Sequence, residues 1–297
     1  ISFVPNTFLL KCVVAATHHQ TRITCSCRCV LLMTIARYTL VAVYGKADED
    51  NPPVMNKNPG IKNMSNTYFS FRRFTIHQER CAMKVGTDGV LLGAWARGGS
   101  RILDVGTGTA LVALMMAQRN GGAQVVGIDI DGEACLQARE NVADSPYAMR
   151  VEICHARLQD YVSHHAPFDA IVCNPPFFAS SLRCPDHRRS MARHEDALPV
   201  AQLMRHAARL LSPDGELSVV IPAPRKTDFD MQAALCGLYP TRVCAVKTVP
   251  RKSATRYLLA WARQSPAGVE QQEVCLNQSD GSRSPWYEAL TRDFYVK

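Results

Sequence analysis

The sequence predicts an α/β protein built on a doubly wound, mostly parallel sheet, and three observations carry that reading. Short apolar runs alternate with segments of helical period through most of the chain, and the first run closes on a glycine-rich turn. The composition, 47% hydrophobic and 20% charged over 297 residues, is that of a chain with a sizeable core and excludes disordered, collagen-like and low-complexity classes.

RILDVG (Arg101–Gly106) is a short apolar run ending in glycine, and ALVALMMAQRN after it repeats its apolar residues at helical spacing. QVVGID (Gln124–Asp129) is again strand-like and GEACLQARENVADS again helical, which makes a βαβα unit. RVEICHA follows as a strand, and DAIVCNPPF as a strand running into a turn. ALPVAQLMRHAARLLSPDG reads as a helix stopped by Pro213 and Gly215, and ELSVVIP as the next strand. TRVCAVKTV and RYLLAWAR are two further strands separated by a basic loop. Strands joined by crossover helices run parallel with right-handed connections, and such sheets bind ligands outside their carboxyl ends, where the strand order reverses.

The first sixty residues differ from this body. They hold four of the twelve cysteines, an apolar run from Cys29 to Tyr44 interrupted by Arg37, and a polar, proline-rich stretch KADEDNPPVMNKNPGIKN. The run is shorter than the roughly 18–20 apolar residues that span a bilayer, so no membrane anchor is expected. Cys25, Cys27 and Cys29 alternate instead of pairing at zinc-ligand spacing, so no metal is expected either. Residues 1–66 are read as an N-terminal extension, disordered or translated from upstream of a start near Met55 or Met64, and residues 67–297 as the folded domain. Twelve scattered cysteines in a long chain without a clean secretory signal fit a reduced, cytoplasmic protein. The net charge of +8 suits a polyanionic partner without demanding one.

Three motifs fall at strand ends. Asp104-Val-Gly106-Thr107-Gly108 closes the first strand, where glycines let the backbone approach a ligand and the helix N-terminus offers unpaired N–H groups; an ordinary tight turn is the plain alternative. Leu111 stands where a dinucleotide fingerprint wants its third glycine, which weakens a nicotinamide reading. Asp129 ends the next strand, where an acid can accept both hydroxyls of a ribose or cap a helix. Asn174-Pro175-Pro176-Phe177 follows the run Ala170–Cys173. Two prolines remove two N–H donors and forbid a helix, leaving carbonyls free to accept hydrogen bonds. With the Asn174 side-chain oxygen this corner can take both hydrogens of an amine, and Phe177 can cover a planar group; Phe178 is a second platform or a core residue.

On these residues the chain resembles the class I S-adenosylmethionine-dependent methyltransferases, in the amino-methylating branch with an Asn-Pro-Pro-aromatic signature. FTIHQERCAMKVGTDGVLLGAWA (Phe74–Ala96) and the ending YEALTRDFYVK narrow the resemblance to the bacterial tRNA (adenine-N6)-methyltransferases, over roughly Phe69 to Lys297. The resemblance implies a seven-stranded Rossmann-like sheet with an antiparallel C-terminal strand, S-adenosylmethionine as cofactor and an anticodon-loop adenine of tRNA as substrate. It further implies that Asp104, Gly106, Thr107 and Gly108 lie by the methionine part of the cofactor and that Asp129 holds its ribose. Lys84, Gly86, Thr87 and Asp88 would belong to a loop, Lys84–Gly89, closing over it; Asn174, Pro175, Pro176 and Phe177 would receive the adenine. Arg157 stands where the family commonly presents an acid to the cofactor's adenine amine, so Asp160 takes that role or no acid does.

Basic residues Arg72, Arg73 and Arg80, then Arg183, Arg188, Arg189 and Arg193, then Arg251, Lys252 and Arg256 recur near the proposed face and favour an RNA backbone. His187 and His194 lack ligand spacing for a metal. A monomer is expected. The alternatives are another planar amine (a ribosomal RNA guanine N2 or adenine N6, or a protein glutamine) and a non-catalytic RNA-binding module.

Overall fold

A computed structural model describes residues 66–163, 166–176 and 198–296. The chain divides into two units, Ile1–Ile61 and Lys62–Lys297, and all described residues belong to the second.

A hairpin of β1 (Tyr68–Ser70) and β2 (Thr75–His77) comes first, then α1 (Thr87–Trp95). The core alternates β3 (Arg101–Val105), α2 (Leu111–Arg119), β4 (Gln124–Asp129), α3 (Gly132–Ala143), β5 (Val151–His155) and β6 (Phe168–Cys173). α4 (Val200–Leu210), β7 (Leu211–Pro222), α5 (Lys226–Leu235), β8 (Tyr239–Lys247), β9 (Ala254–Ala262), β10 (Glu270–Cys275) and α6 (Pro285–Thr291) complete it.

The main sheet runs β10-β8-β9-β7-β6-β3-β4-β5, with β9 antiparallel to both neighbours and every other pairing parallel. It has eight strands, one more than the seven expected, because β10 adds in parallel to the edge of β8 after the antiparallel strand. EQQEVC is polar and mostly exposed, so it carries no alternation to betray a strand. The α4 boundary also shifts: the helix ends at Leu210, and Leu211 already pairs with Phe168 across a bulge, ahead of Pro213 and Gly215.

The helices follow from their sequences. α2 is apolar on all sides and buried from Leu111 to Ala117, because the sheet lies on one side and α1 on the other. α1 and α2 meet so closely that a Cβ on Gly93 would stand 2.8 Å from Met115 Sδ. α3 starts where the Asp131 carboxylate caps the N–H groups of Glu133 and Ala134, and α4 buries Leu203, Met204, Ala207 and Leu210 along one stripe.

The two ends of the unit are joined. Phe71 bridges Tyr295, Arg72 N–H donates to Phe294 O at 2.8 Å, and Phe69, Phe71, Phe74 and Tyr295 pack ring on ring. The hairpin is tied to α3 by Asn141, which accepts from His77 N–H at 2.9 Å and donates to His77 O and Thr109 O. Among the described residues no helix is long and apolar enough to cross a membrane, no group of His, Cys, Asp and Glu could hold a metal, and the seven cysteines are free.

Candidate active site

The strand order reverses beside β3, which pairs with β4 on one side and β6 on the other. Val105 pairs with Ile128 and with Cys173, so the next residues of the three strands, Asp129, Gly106 and Asn174, stand in one row at the carboxyl edge. Adjacent strands lie about 4.8 Å apart, so this row gathers an acid, a backbone turn and an amide within the span of a small ligand. The register, not the spacing in sequence, brings them together.

The turn is built for closeness. Gly106 and Gly108 have φ of 70° and 54°, and a Cβ on either would meet nothing within 4 Å, so the loop faces open space. Ala110 also takes a left-handed φ of 65° at the start of α2, a third such torsion that an alanine conceals in the sequence. Gly106 and Thr107 donate their N–H groups to Ile128 O, at 2.9 and 3.0 Å, and Gly108 donates to Asp129 Oδ2 at 2.8 Å. Asp129 Oδ1 accepts from Asp131 N–H at 3.0 Å, which leaves a lone pair on each carboxylate oxygen.

Asp104 lies beneath this turn, only 1% exposed. Its Oδ2 accepts from Thr107 Oγ1 at 2.7 Å and from Ala113 N–H at 3.1 Å. Burial pushes its carboxyl up to about 7, against the lowering effect of those two hydrogen bonds. Folded protein therefore holds a proton between about pH 4 and 7 that unfolded chain has released, and this group's contribution to stability falls as pH rises through that window. Thr107 can reach Asp104 because residue 127 is glycine: a Cβ there would stand 2.7 Å from Thr107 Oγ1 and 2.8 Å from Ile153 Cδ1.

Asn174 is half-buried, Pro175 buried and Pro176 exposed at the end of β6. Each of the first two precedes a proline, which holds the backbone extended and its carbonyls outside any helix. Phe177 lies outside the described residues, as do Phe178, Arg183, His187, Arg188, Arg189, Arg193 and His194.

The expected loop Lys84–Gly89 is only partly a loop, because Thr87, Asp88 and Gly89 form the first turn of α1 after an N-cap at Gly86. An apolar run, VLLGAW, follows directly and packs against α2, buried from Val90 to Ala94, so the helix extends back to the polar Thr-Asp pair. The remaining loop is anchored from below by Gln78, whose Oε1 accepts from Val85 N–H at 2.7 Å and whose carbonyl accepts from Lys84 Nζ. Gly89 faces Asn174 and the start of α2: a Cβ there would be 3.8 Å from Asn174 Nδ2 and 3.0 Å from Leu111 Cδ2.

Not every sequence-derived residue joins the row. Asp160 is exposed on a groove along the sheet face, shared with Arg101 and Gln124 at the amino ends of β3 and β4. Arg80 pairs with Glu140 at 2.7 Å, Arg72 donates to Arg292 O, and Arg256 pairs with Asp88, so these three are engaged inside the protein. Arg73, Arg251 and Lys252 are exposed, the latter two on the β8–β9 turn at the carboxyl edge of the sheet. Gln78, Gly127 and Ala110 had no signal in a single sequence. Ile130 did: an apolar residue directly after a strand-end acid, it is 41% exposed at the same edge, with its carbonyl 3.0 Å from His155 Nε2.

Residues 86–238 match the family model described as methyltransferase small domain. The chain is 42% identical over 237 residues to a tRNA1(Val) (adenine(37)-N6)-methyltransferase of Parabacteroides distasonis, covering 79% of this chain and 100% of the relative. It is 46% identical to the protein of that name in Phocaeicola vulgatus, covering 78% of this chain and 99% of the relative. The protein of that name in Tolumonas auensis is 39% identical, with 77% and 97% covered. Among solved structures, one described as a predicted O-methyltransferase from Agrobacterium tumefaciens shares the fold at a TM-score of 0.55 and 18% identity, covering 71% of this chain and 98% of that one.

Proposed function

Because the chain belongs to the tRNA1(Val) (adenine(37)-N6)-methyltransferase family, we propose that the row Asp129–Gly106–Asn174 is where it methylates the exocyclic N6 of adenine 37 in the anticodon loop of tRNA1(Val). The observation that supports this most is the adjacency, across one register, of an acceptor-rich Asn-Pro-Pro corner and an open glycine turn.

The residues suit S-adenosylmethionine. The open concavity over Gly106 and Gly108 admits the amino-acid end, the spare lone pairs of Asp129 suit two ribose hydroxyls, and Ile130 offers apolar surface to a flat base. The buried Asp104 carboxylate supplies negative potential under a cationic ligand through the turn it shapes. Lys84, Gly86 and Thr87 are assigned to the α1 side of the site, a reading supported by Gly89 of the same segment facing Asn174. When bound, the cofactor supplies a methyl group already activated on a sulfonium.

The protein's task is then orientation. The lone pair of an adenine N6 is delocalised into the ring; the Asn174 Oδ1 and Pro175 carbonyl accept its two N–H bonds, favour a tetrahedral nitrogen and aim the pair at the methyl. Fixing two reactants in this way is worth up to about 7–11 kcal/mol, so no strong base is required, and the N6 proton leaves to solvent after transfer. Phe177 is assigned the stacking that offsets the cost of splaying the base out of the loop. Residues 67–297 as the methyltransferase domain, a cytoplasmic location, and a monomer working without metal belong to the same proposal. Methyl transfer from radiolabelled cofactor into tRNA, ribosomal RNA and total protein tests it: label in tRNA is expected, and label confined to ribosomal RNA or protein rejects it.

Asp104 gives a pH signature. A cation bound above the turn lowers its pKa from about 7, so binding releases a proton and affinity rises with pH up to that value. Calorimetry at pH 6.5 in buffers of different ionisation heat is expected to show partial proton release, lost in Asp104→Asn.

A further inference from the structure

Arg256 stands among the basic residues that sequence alone assigns to an RNA backbone, yet its Nη1 lies 2.7 Å from Asp88 Oδ1, with the two side chains 24% and 45% exposed. We infer that Arg256 is a positioning residue, which holds the first turn of α1 over the junction of the glycine loop and Asn174 by its ion pair with Asp88. The inference rests on the methyltransferase reading above and assigns within it a part that the motifs do not.

The placement is specific. β9 runs antiparallel to β7, so its second-to-fourth residues return to the carboxyl edge, where Arg256 pairs with Pro222 on β7 and Val246 on β8. Asp88 is in the first turn of α1, one residue before Gly89, whose missing side chain leaves room for Asn174 Nδ2, Leu111 and Val112. Gly86 at the N-cap has no side chain to fix that turn, and no side-chain cap bond is made. Among the described residues, and besides the Val90 N–H bond to Gly86 O, the turn is held by Gln78 below the preceding loop, the packing of Gly89, and Arg256 from the far side of the site. Loss of the third leaves the body of α1 packed on α2 and frees only its first turn. A partly exposed ion pair contributes little to global stability, whereas a displacement of about 1 Å near reacting groups can cost up to roughly a hundredfold in rate.

The test is a double-mutant cycle of Arg256→Met and Asp88→Asn, read by calorimetric affinity for S-adenosylhomocysteine and by kcat on an anticodon stem-loop RNA. Each single change is expected to weaken analogue binding and lower kcat by about tenfold, with the double variant no worse than either and Arg256→Lys restoring activity to within about threefold. The salt dependence of RNA binding is expected to stay as in the unmodified protein. Losses that multiply in the double variant overturn the inference. So does an Arg256→Met defect confined to RNA affinity with a salt slope shallower by about 0.7, the loss of one phosphate contact. A protein that binds the analogue but methylates no RNA overturns the methyltransferase reading instead, and the cycle on analogue affinity still decides the role of Arg256.

Discussion

Replacing Asn174 by alanine is expected to lower kcat by about a thousandfold while leaving cofactor affinity within about threefold. One preorganised hydrogen-bonding group at a reacting centre is worth on the order of 10²–10³ in rate, and here the same group also sets the direction of the attacking lone pair. Asn174 sits at the end of β6, two strands from Asp129 with Gly106 of the β3 end between them, so its amide is not needed to hold a ribose. Single-turnover methyl transfer to a stem-loop RNA, with calorimetry on the same variant, separates the two effects. Asn174→Asp keeps one acceptor oxygen and shape but adds a charge, and an intermediate loss is expected for it. A variant with near-normal kcat would remove Asn174 from the chemistry.

Gly127→Ala is expected to weaken cofactor binding by at least tenfold although residue 127 touches no ligand. Its Cβ would stand 2.7 Å from Thr107 Oγ1 and 3.0 Å from Thr107 Cβ, so Thr107 must move and its 2.7 Å bond to Asp104 breaks. The turn then loses its side-chain bond to the buried carboxylate, whose other bond, from Ala113 N–H, belongs to α2. Overpacking of this kind also costs about 1–3 kcal/mol of stability, measurable by denaturant unfolding. Gly121→Ala is the control: a Cβ there meets nothing within 4 Å, and neither affinity nor stability is expected to change. Unchanged cofactor affinity in Gly127→Ala would show that the turn does not depend on Thr107.

These two positions show what a single sequence reveals. Asn174-Pro175-Pro176 was legible because proline chemistry is local: two missing donors after an apolar run mark an acceptor corner at a strand end whatever the rest of the chain does. The βαβα order and the turn at Gly106 and Gly108 were legible for the same reason. Gly127 was not, because its requirement comes from Thr107 across the β3–β4 junction. Neither was the clasp of Phe71 on Tyr295, nor the pairing of Arg256 with Asp88, since each joins segments far apart in the chain and depends on the finished sheet. β10 escaped because an edge strand buries too little to show a pattern. The resemblance put Thr87 and Asp88 in a loop, and they are helical because the apolar run behind them is buried against α2.

On the proposed function, the corner at Asn174 presents one chemical group, the N6 of an anticodon-loop adenine, to an activated methyl. Mass spectrometry of nucleosides and of ribonuclease fragments from tRNA1(Val), treated with the purified protein and S-adenosylmethionine, tests it most directly. The expected result is N6-methyladenosine in the fragment carrying position 37, absent with Asn174→Ala. A methyl group on any other nucleoside, or on an adenine outside the anticodon loop, would contradict the claim.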